Sequence, residues 1–432
     1  MTKTLNKTRK KTKTTWRTVR LGDFANINPS VPLERGRTYP FIDMANVIPL
    51  SRTTNWLEHK VFTGSGVRFS EGDTLFARIT PCLENGKITQ AVKTGGVGFG
   101  STEFYVLRGK REISDSDFIF YLTRTYRIRK MAEASMMGAS GRQRVERAAF
   151  ENILVQIPES IDTQKRIAGM LSAFDEKIEN NNLIIKTLEQ MAQAVFKEWF
   201  VNFRFPGHEK IKFVDSALLP APQSEAARQA GGKVPKGWRV GIIGDLVRIT
   251  SGFPFSSKLY NSAEGALGVV TIKNVQDGNF IRDFNSFIKK GDLPVNFNTN
   301  CYLKEGDILL SLTGNVGRVC FVYGGQYLLN QRVAKLEPKE LKDFAFCYFL
   351  FRQATMQNYL INMGKGSAQP NLSPVETGAS TMLIPPRRIL DDFNELAGSI
   401  YQQIIQNTVE NQKLATMRDL LLPRLMSGEI RV

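Results

Sequence analysis

The chain has 432 residues, enough for two or three independent cores, and its 42% hydrophobic and 10% aromatic content belongs to a folded protein rather than a disordered basic tail. Its 58 Lys and Arg against 41 Asp and Glu leave a net charge of +17, a surface that attracts polyanions and releases them as salt is added. No stretch approaches the ~18–20 apolar residues of a membrane span and no apolar signal core follows the start, so a cytoplasmic protein without membrane association is expected. Cys82, Cys301, Cys320 and Cys347 lie far apart and the histidines are His59 and His208, which leaves no zinc ligand set and reads as reduced core cysteines.

Residues 1–15 form a basic tail with Lys3, Lys7, Arg9, Lys10, Lys11 and Lys13 and no acidic residue. It is expected to be flexible, either tracking a nucleic-acid backbone or serving as a solubilising extension. From 16 to 157, short apolar runs such as Thr74–Ile79 and Glu103–Leu107 alternate with Gly, Asn and Pro signals, and Asp117–Met131 has a helical pattern; this is the signature of a mixed α+β domain. Residues 158–205 change period. Ile167, Leu171, Phe174, Ile178, Asn181, Ile185, Leu188, Ala192, Val195 and Trp199 are spaced alternately by four and three, a heptad seam. Such a helix of some forty residues would be a rod of roughly 60 Å.

Residues 206–236 carry Pro206, Pro220, Pro222, Gly231, Gly232 and Pro235 and read as a linker. A second domain spans 237–384, with strands at Asp307–Ser311 and Val319–Val322 and a helix near Phe344–Asn362. Residues 385–432 hold a second long helix, whose seam is Phe393, Ala397, Ile400, Ile404, Asn407, Asn411, Leu414, Arg418 and Leu421, with Pro423 expected to end or kink it.

The second half repeats the first. Trp16-Arg17 with Leu21-Gly22-Asp23 returns as Trp238-Arg239 with Ile243-Gly244-Asp245, an offset of 222; Glu71-Gly72-Asp73 returns as Glu305-Gly306-Asp307, and Ile157-Pro158 as Ile384-Pro385. The expected fold is therefore α+β, two repeated mixed domains joined by two long helices that form an antiparallel coiled coil. Asn181 and Asn407 are expected to meet near its centre, a buried polar pair that fixes register; the alternatives are a parallel pairing, which also matches them, and a solvated face.

Catalytic parts are missing from the sequence. It has no G-x-x-x-x-G-K-[ST] loop, Pro385-Pro386 lacks the flanking residues of an amino-methyltransferase site, and no carboxylate cluster suggests a two-metal nuclease. Gly96-Val-Gly-Phe-Gly100 precedes no helix and reads as a tight strand turn. What recurs in both domains is glycine-punctuated loops dense in groups that can read base edges or approach phosphates. In the first these supply Arg78, Asn85, Lys87, Arg142, Gln143 and Arg144. In the second they supply Lys273, Asn274, Thr313, Asn315, Arg318, Asn330, Gln331, Arg332, Lys365, Ser367 and Gln369.

Taken in order, Phe76–Lys87, Gly100–Phe104, Phe196–Phe203, Pro235–Trp238, Thr313–Gly317, Asn330–Arg332 and the ending Arg418–Ile430 resemble the specificity subunits of bacterial and archaeal type I restriction-modification enzymes. The resemblance implies two target-recognition domains that each read one half of a split, asymmetric double-stranded DNA sequence. It also implies a helical pair that sets their spacing and docks two modification subunits, which methylate adenine at N6, with restriction subunits joining where the host has them. S-adenosylmethionine, ATP and Mg would then reside in partners, with no cofactor and no catalytic residue in this chain. The rival reading is a coiled-coil assembly scaffold without sequence-specific DNA binding.

Overall fold

The computed structural model describes residues 15–54, 57–139, 141–215, 233–260, 265–366 and 370–432. It divides into two units, residues 1–180 with 413–432 and residues 181–412, so each long helix contributes to both. In the first unit, short strands, largely apolar at the centre, build two sheets. One has the order 25–27, 104–109, 74–77, 88–90; the other has the order 58–61, 38–42, 97–100, 67–70, with Phe41–Ile42 parallel to Phe99–Gly100. Alternation sends successive side chains of the central strands to opposite faces. Leu75, Ala77, Phe104 and Val106 fill the space toward the second sheet, while Phe76, Tyr105 and Leu107 pack toward Phe118, Ile119 and Leu122 of a helix and Ile167 and Leu171 of the first long helix. Both faces being covered, Thr74–Ala77 is buried throughout.

The second unit repeats this topology strand for strand. Its sheets run 247–251, 333–338, 308–311, 319–321 and 287–288, 267–270, 327–329, 302–303, with Val269–Val270 parallel to Leu328–Leu329. A flanking antiparallel pair, 16–20 with 154–158, has its counterpart in 239–242 with 381–384. The same partition of faces holds: Leu309 and Val333 belong to one cluster, Ile308, Leu310, Ala334 and Leu336 to another with Phe346 and Phe349.

Three local expectations change in detail. The patterns read as single helices are each two, Ser116–Arg124 with Tyr126–Ala134 and Phe344–Arg352 with Ala354–Met363, broken where Thr125 and Gln353 turn extended at ψ 142° and 134°. Tertiary bonds hold each break: Arg124 Nη1 lies 3.4 Å from Asp175 Oδ2 in one unit, and in the other Arg352 Nε donates to Glu189 Oε1 at 2.9 Å and Gln353 Nε2 to Gln193 Oε1 at 2.6 Å. The glycine run at 96–100 is mostly strand, Val97–Gly100. A Cβ on Gly98 would stand 2.6 Å from the Phe69 ring and one on Gly100 2.7 Å from the Ile42 carbonyl oxygen, so the glycines there admit close sheet packing.

The long helices span Ile161–Phe196, continued by a π-helical turn Lys197–Val201, and Arg387–Met426. Pro423 lies inside the last turn, its carbonyl still accepting from Ser427 N at 3.0 Å, so the helix ends three residues beyond it. Within the second unit Asn181 Nδ2 donates to Glu410 Oε2 at 2.7 Å and Asn411 Oδ1 at 2.9 Å, while Phe196 and Phe200 meet Phe393 at ring distances of 5.6 and 5.0 Å. Rising numbers on one helix thus meet falling numbers on the other.

Asn407 is buried as expected, but it accepts from Gln403 at 3.0 Å rather than meeting Asn181. An antiparallel pair centred near 183 and 409 puts position 411 opposite 181; position 407 is only its counterpart in the repeat. Of the seam residues, Ile167, Leu171 and Leu421 join the core of the first unit, and Phe174, Ile178 and Leu414 are half-buried. Ile185, Leu188, Trp199, Phe393, Ile400 and Ile404 join the core of the second.

Between the domains, Phe213–Asp215 pairs with Lys233–Pro235, and Phe203 and Phe205 pack on Trp238 at 5.1 and 5.9 Å. Residues 216–232 of the expected linker and 1–14 of the basic tail lie outside the described residues. Among the described residues no helix is long and apolar enough to cross a membrane, and no group of three His, Cys, Asp or Glu could hold a metal ion.

Candidate nucleic-acid interface

In the first unit the chain leaves strand 74–77 into a loop closed by its own backbone bonds, Leu83 N to Ile79 O at 3.0 Å and Lys87 N to Cys82 O at 3.0 Å. A short hairpin, 136–137 with 144–145, is laced to that loop. Thr80 N donates to Gln143 O at 3.0 Å, Gln143 N to Thr80 Oγ1 at 3.1 Å, and Val145 N to Arg78 O at 2.8 Å. Arg78, Gln143 and Arg144, distant in sequence, are thereby brought together.

Their focus is Glu103, which the loop composition did not single out. Arg144 grips its carboxylate through Nε to Oε2 at 2.9 Å and Nη2 to Oε1 at 2.8 Å, and Arg78 Nε stands 3.6 Å from Oε2. Arg144, with Arg78 adding to it, holds the carboxyl below the usual carboxylate range, so the group is an Arg–Glu–Arg array with one net positive charge. The Arg78 guanidinium also lies over the Tyr105 ring, 5.4 Å from its centroid. Asn85 and Arg142 are exposed, whereas Lys87 is turned to the Met44 carbonyl at 2.8 Å.

In the second unit the segments 313–318, 330–332, 364–366 and 370–371 also converge. Leu312 N donates to Arg332 O at 3.0 Å, Leu372 N to Leu312 O at 2.8 Å and Gly314 N to Pro370 O at 3.2 Å, and Thr313 bridges to Asn371. Gly314 and Gly317, at φ 70° and 83°, supply the left-handed turns that bring the 313–318 loop back on itself. Asn315, Arg318 and Lys365 line one cleft of about 340 Å³ together with Asp277, Gln357 and Ile361.

Arg318 is bonded to Gln276, and Lys365 Nζ to Asn362 Oδ1 at 3.0 Å. Lys273, Gln331 and Arg332 are exposed. Asn274 and Asn330 face inward instead. Asn274 bonds Thr271 N at 2.8 Å and the carbonyls of Ile281 and Asp283 at 2.8 and 2.9 Å, and Asn330 Oδ1 caps Arg332 N at 3.3 Å. The Thr313 hydroxyl is buried. Ser367 and Gln369 lie outside the described residues.

Each unit therefore ends in a cradle of donors and acceptors carried on loops, built twice on one topology. A sequence profile described as the type I restriction modification DNA specificity domain matches residues 13–190 and 235–375, once in each repeat. The chain belongs to this family. Among its relatives, the specificity subunit of the HindI type I restriction enzyme of Haemophilus influenzae is 26% identical over 407 residues, covering 83% of this chain and 87% of that one. The MjaVIII specificity subunit of Methanocaldococcus jannaschii is 25% identical and covers 96% and 93% of the respective chains. The crystal structure of the type I restriction-modification S subunit from M. genitalium has the same fold, with a TM-score of 0.55 at 16% identity over 98% of this chain and 97% of that one. As a type I specificity subunit with two specificity domains, the chain has its two cradles where the family's matched segments lie.

Proposed function

We propose that this subunit reads a two-part, asymmetric sequence in double-stranded DNA, one half with each unit, and presents the site to modification subunits that methylate adenine at N6. The observation that carries this reading is the duplication itself: one topology made twice, each copy ending in its own cluster of guanidinium, amide and hydroxyl groups. Phosphate contacts from exposed Arg142 and Lys273 would orient the duplex, and base-edge contacts would specify it.

In this reading the two long helices form an antiparallel coiled coil that sets the spacer between half-sites. A rod of about 60 Å covers at most about 18 base pairs, and two domains facing one side of the duplex sit about one turn apart. The helices also carry exposed apolar side chains, among them Leu183 and Met191 on the first and Met417 and Leu420 on the second. Such residues suit the docking of two modification subunits and, where present, restriction subunits. The chain itself is then non-catalytic and cytoplasmic, with S-adenosylmethionine, ATP and Mg bound by its partners.

Methylated-base sequencing of cells that hold the modification partner, with and without this chain, tests the proposal. The expected result is a split motif with N6-methyladenine on both strands only when the chain is present. An active complex that adds no new motif would favour a scaffold.

A further inference from the structure

Because the two units share one topology, residues can be equated through their hydrogen bonds rather than through sequence identity. Ser101 N donates to Ile42 O at 3.1 Å as Asn330 N does to Val270 O at 3.1 Å. Phe104 N returns to Ser101 O at 3.3 Å as Val333 N does to Asn330 O at 3.0 Å, and Arg78 N bonds Glu103 O at 2.9 Å as Leu312 N bonds Arg332 O at 3.0 Å. The tripeptide Ser101-Thr102-Glu103 is therefore the structural counterpart of Asn330-Gln331-Arg332. Both occupy the step from the second sheet into the central strand of the first, in the middle of the cradle.

At the third position of that step the units carry opposite charges. Glu103 is flanked by Arg78 and Arg144; their counterparts around Arg332 are Leu312 and Asn371, as the bridges Ile79 to Arg144 and Thr313 to Asn371 establish. The net charge is the same, one positive, yet the central group differs. In the second unit it is an exposed guanidinium that no carboxylate among the described residues pairs. In the first it is an acceptor carboxylate, held by Arg144 through Nε and Nη2, while Arg144 Nη1 donates to Arg142 O at 3.4 Å.

We propose that this position, Glu103 in one unit and Arg332 in the other, is a specificity-determining residue that selects one base pair in each half-site. Arg332 selects guanine, whose O6 and N7 match a guanidinium fork. Glu103 selects a base that presents an amino group in the major groove, cytosine N4 or adenine N6, with Arg144 holding the carboxylate in place. The inference rests on the proposed reading of DNA by both units and adds to it the chemistry at one position of each half.

The test uses the complex of the full chain with its modification partner. Its wild-type motif is established first, and methylation is then measured on duplexes carrying each base substitution in turn. Arg332→Gln should relax one position of the second half-site by about 10- to 100-fold in discrimination and leave every other position unchanged. Arg332→Lys, which keeps the charge and removes the fork, should relax the same position. Glu103→Gln should relax one position of the first half-site only. Soluble variant complexes that lose methylation evenly over all sequences, or keep the wild-type preference at every position, would overturn the inference while leaving the two-domain reading intact. A wild-type complex with no sequence preference would overturn that reading as well.

Discussion

In the first unit, helix Ser116–Arg124 meets the long helices through charge. Tyr121 OH donates to Asp175 Oδ2 at 2.6 Å, Arg124 Nη1 lies 3.4 Å from the same oxygen, and Arg418 bonds the other, with Arg124, Asp175 and Arg418 side chains 1%, 5% and 6% exposed. In the second unit, helix Phe344–Arg352 meets the corresponding position through rings, Tyr401 packing on Tyr348 at 5.1 Å, on Phe321 at 6.0 Å and on Phe349 at 6.5 Å, while Arg352, the counterpart of Arg124, is paired with Glu189 at 2.9 Å. Asp175 and Tyr401 are counterparts, each fifteenth in a long helix that starts at Ile161 or Arg387.

One architecture thus accepts either a carboxylate or a ring at the same position of the joint, with different dependence on its parts. Aromatic packing contributes through buried area, whereas a buried ionic group recovers its desolvation cost only while every partner is present. Burial and the neighbouring Asp175 push the Tyr121 phenol well above its ordinary value, so it remains a donor to that carboxylate.

The sharpest break in this comparison is Asp175→Ala, which leaves the buried Arg124 and Arg418 with only the half-exposed Asp419 as anion and should cost ~3–5 kcal/mol. Denaturant titration followed by hydrogen exchange, which resolves the two units separately, should place that loss in the first unit; an effect below ~1 kcal/mol would mean that the joint is hydrated. Replacing Tyr121, Arg124, Asp175 and Arg418 together by Phe, Met, Leu and Met should instead be neutral or stabilising by ~1–4 kcal/mol, because no buried charge is left without its partner.

On the aromatic side, Tyr401→Phe keeps the rings and removes only the bond from its hydroxyl to Gly306 O at 3.3 Å, a loss of ~0.5–1.5 kcal/mol read in the same way for the second unit.

The smallest effect concerns Glu103, whose pairing with the exposed Arg144 adds a stability that is screened by solvent. Because its folded pKa is lowered, that stability is present above the carboxylate's unfolded value and disappears as pH falls through the folded value. Wild type and Glu103→Gln should therefore differ slightly at neutral pH and converge in acid; a gap that widens in acid would reverse the assignment.

Much of this arrangement is legible in the sequence wherever periodicity carries it. Short apolar runs at Thr74–Ala77 and Ile308–Ser311 mark central strands, and the four-and-three spacing from Ile167 to Trp199 marks a long helix. The register of the helices is less legible, because Asn181 and Asn407 match by position in the repeat while antiparallel geometry pairs Asn181 with Asn411. Loop chemistry is the least legible. Asn274 and Asn330 look like base readers and are consumed by backbone bonds. Glu103 looks like a stray acid in a basic loop, and only the hydrogen bonds shared by the two units reveal it as the counterpart of Arg332.

The most direct test of the account is an exchange of one domain. Residues 16–157 are replaced by the matching segment of a relative with a different target, and methylated motifs are sequenced from cells holding the hybrid and its modification partner. The account predicts a motif in which one half changes to the donor's sequence, while the other half and the spacer stay as they were. A hybrid that assembles and methylates but changes both halves, or neither, would contradict the assignment of one half-site to each repeat.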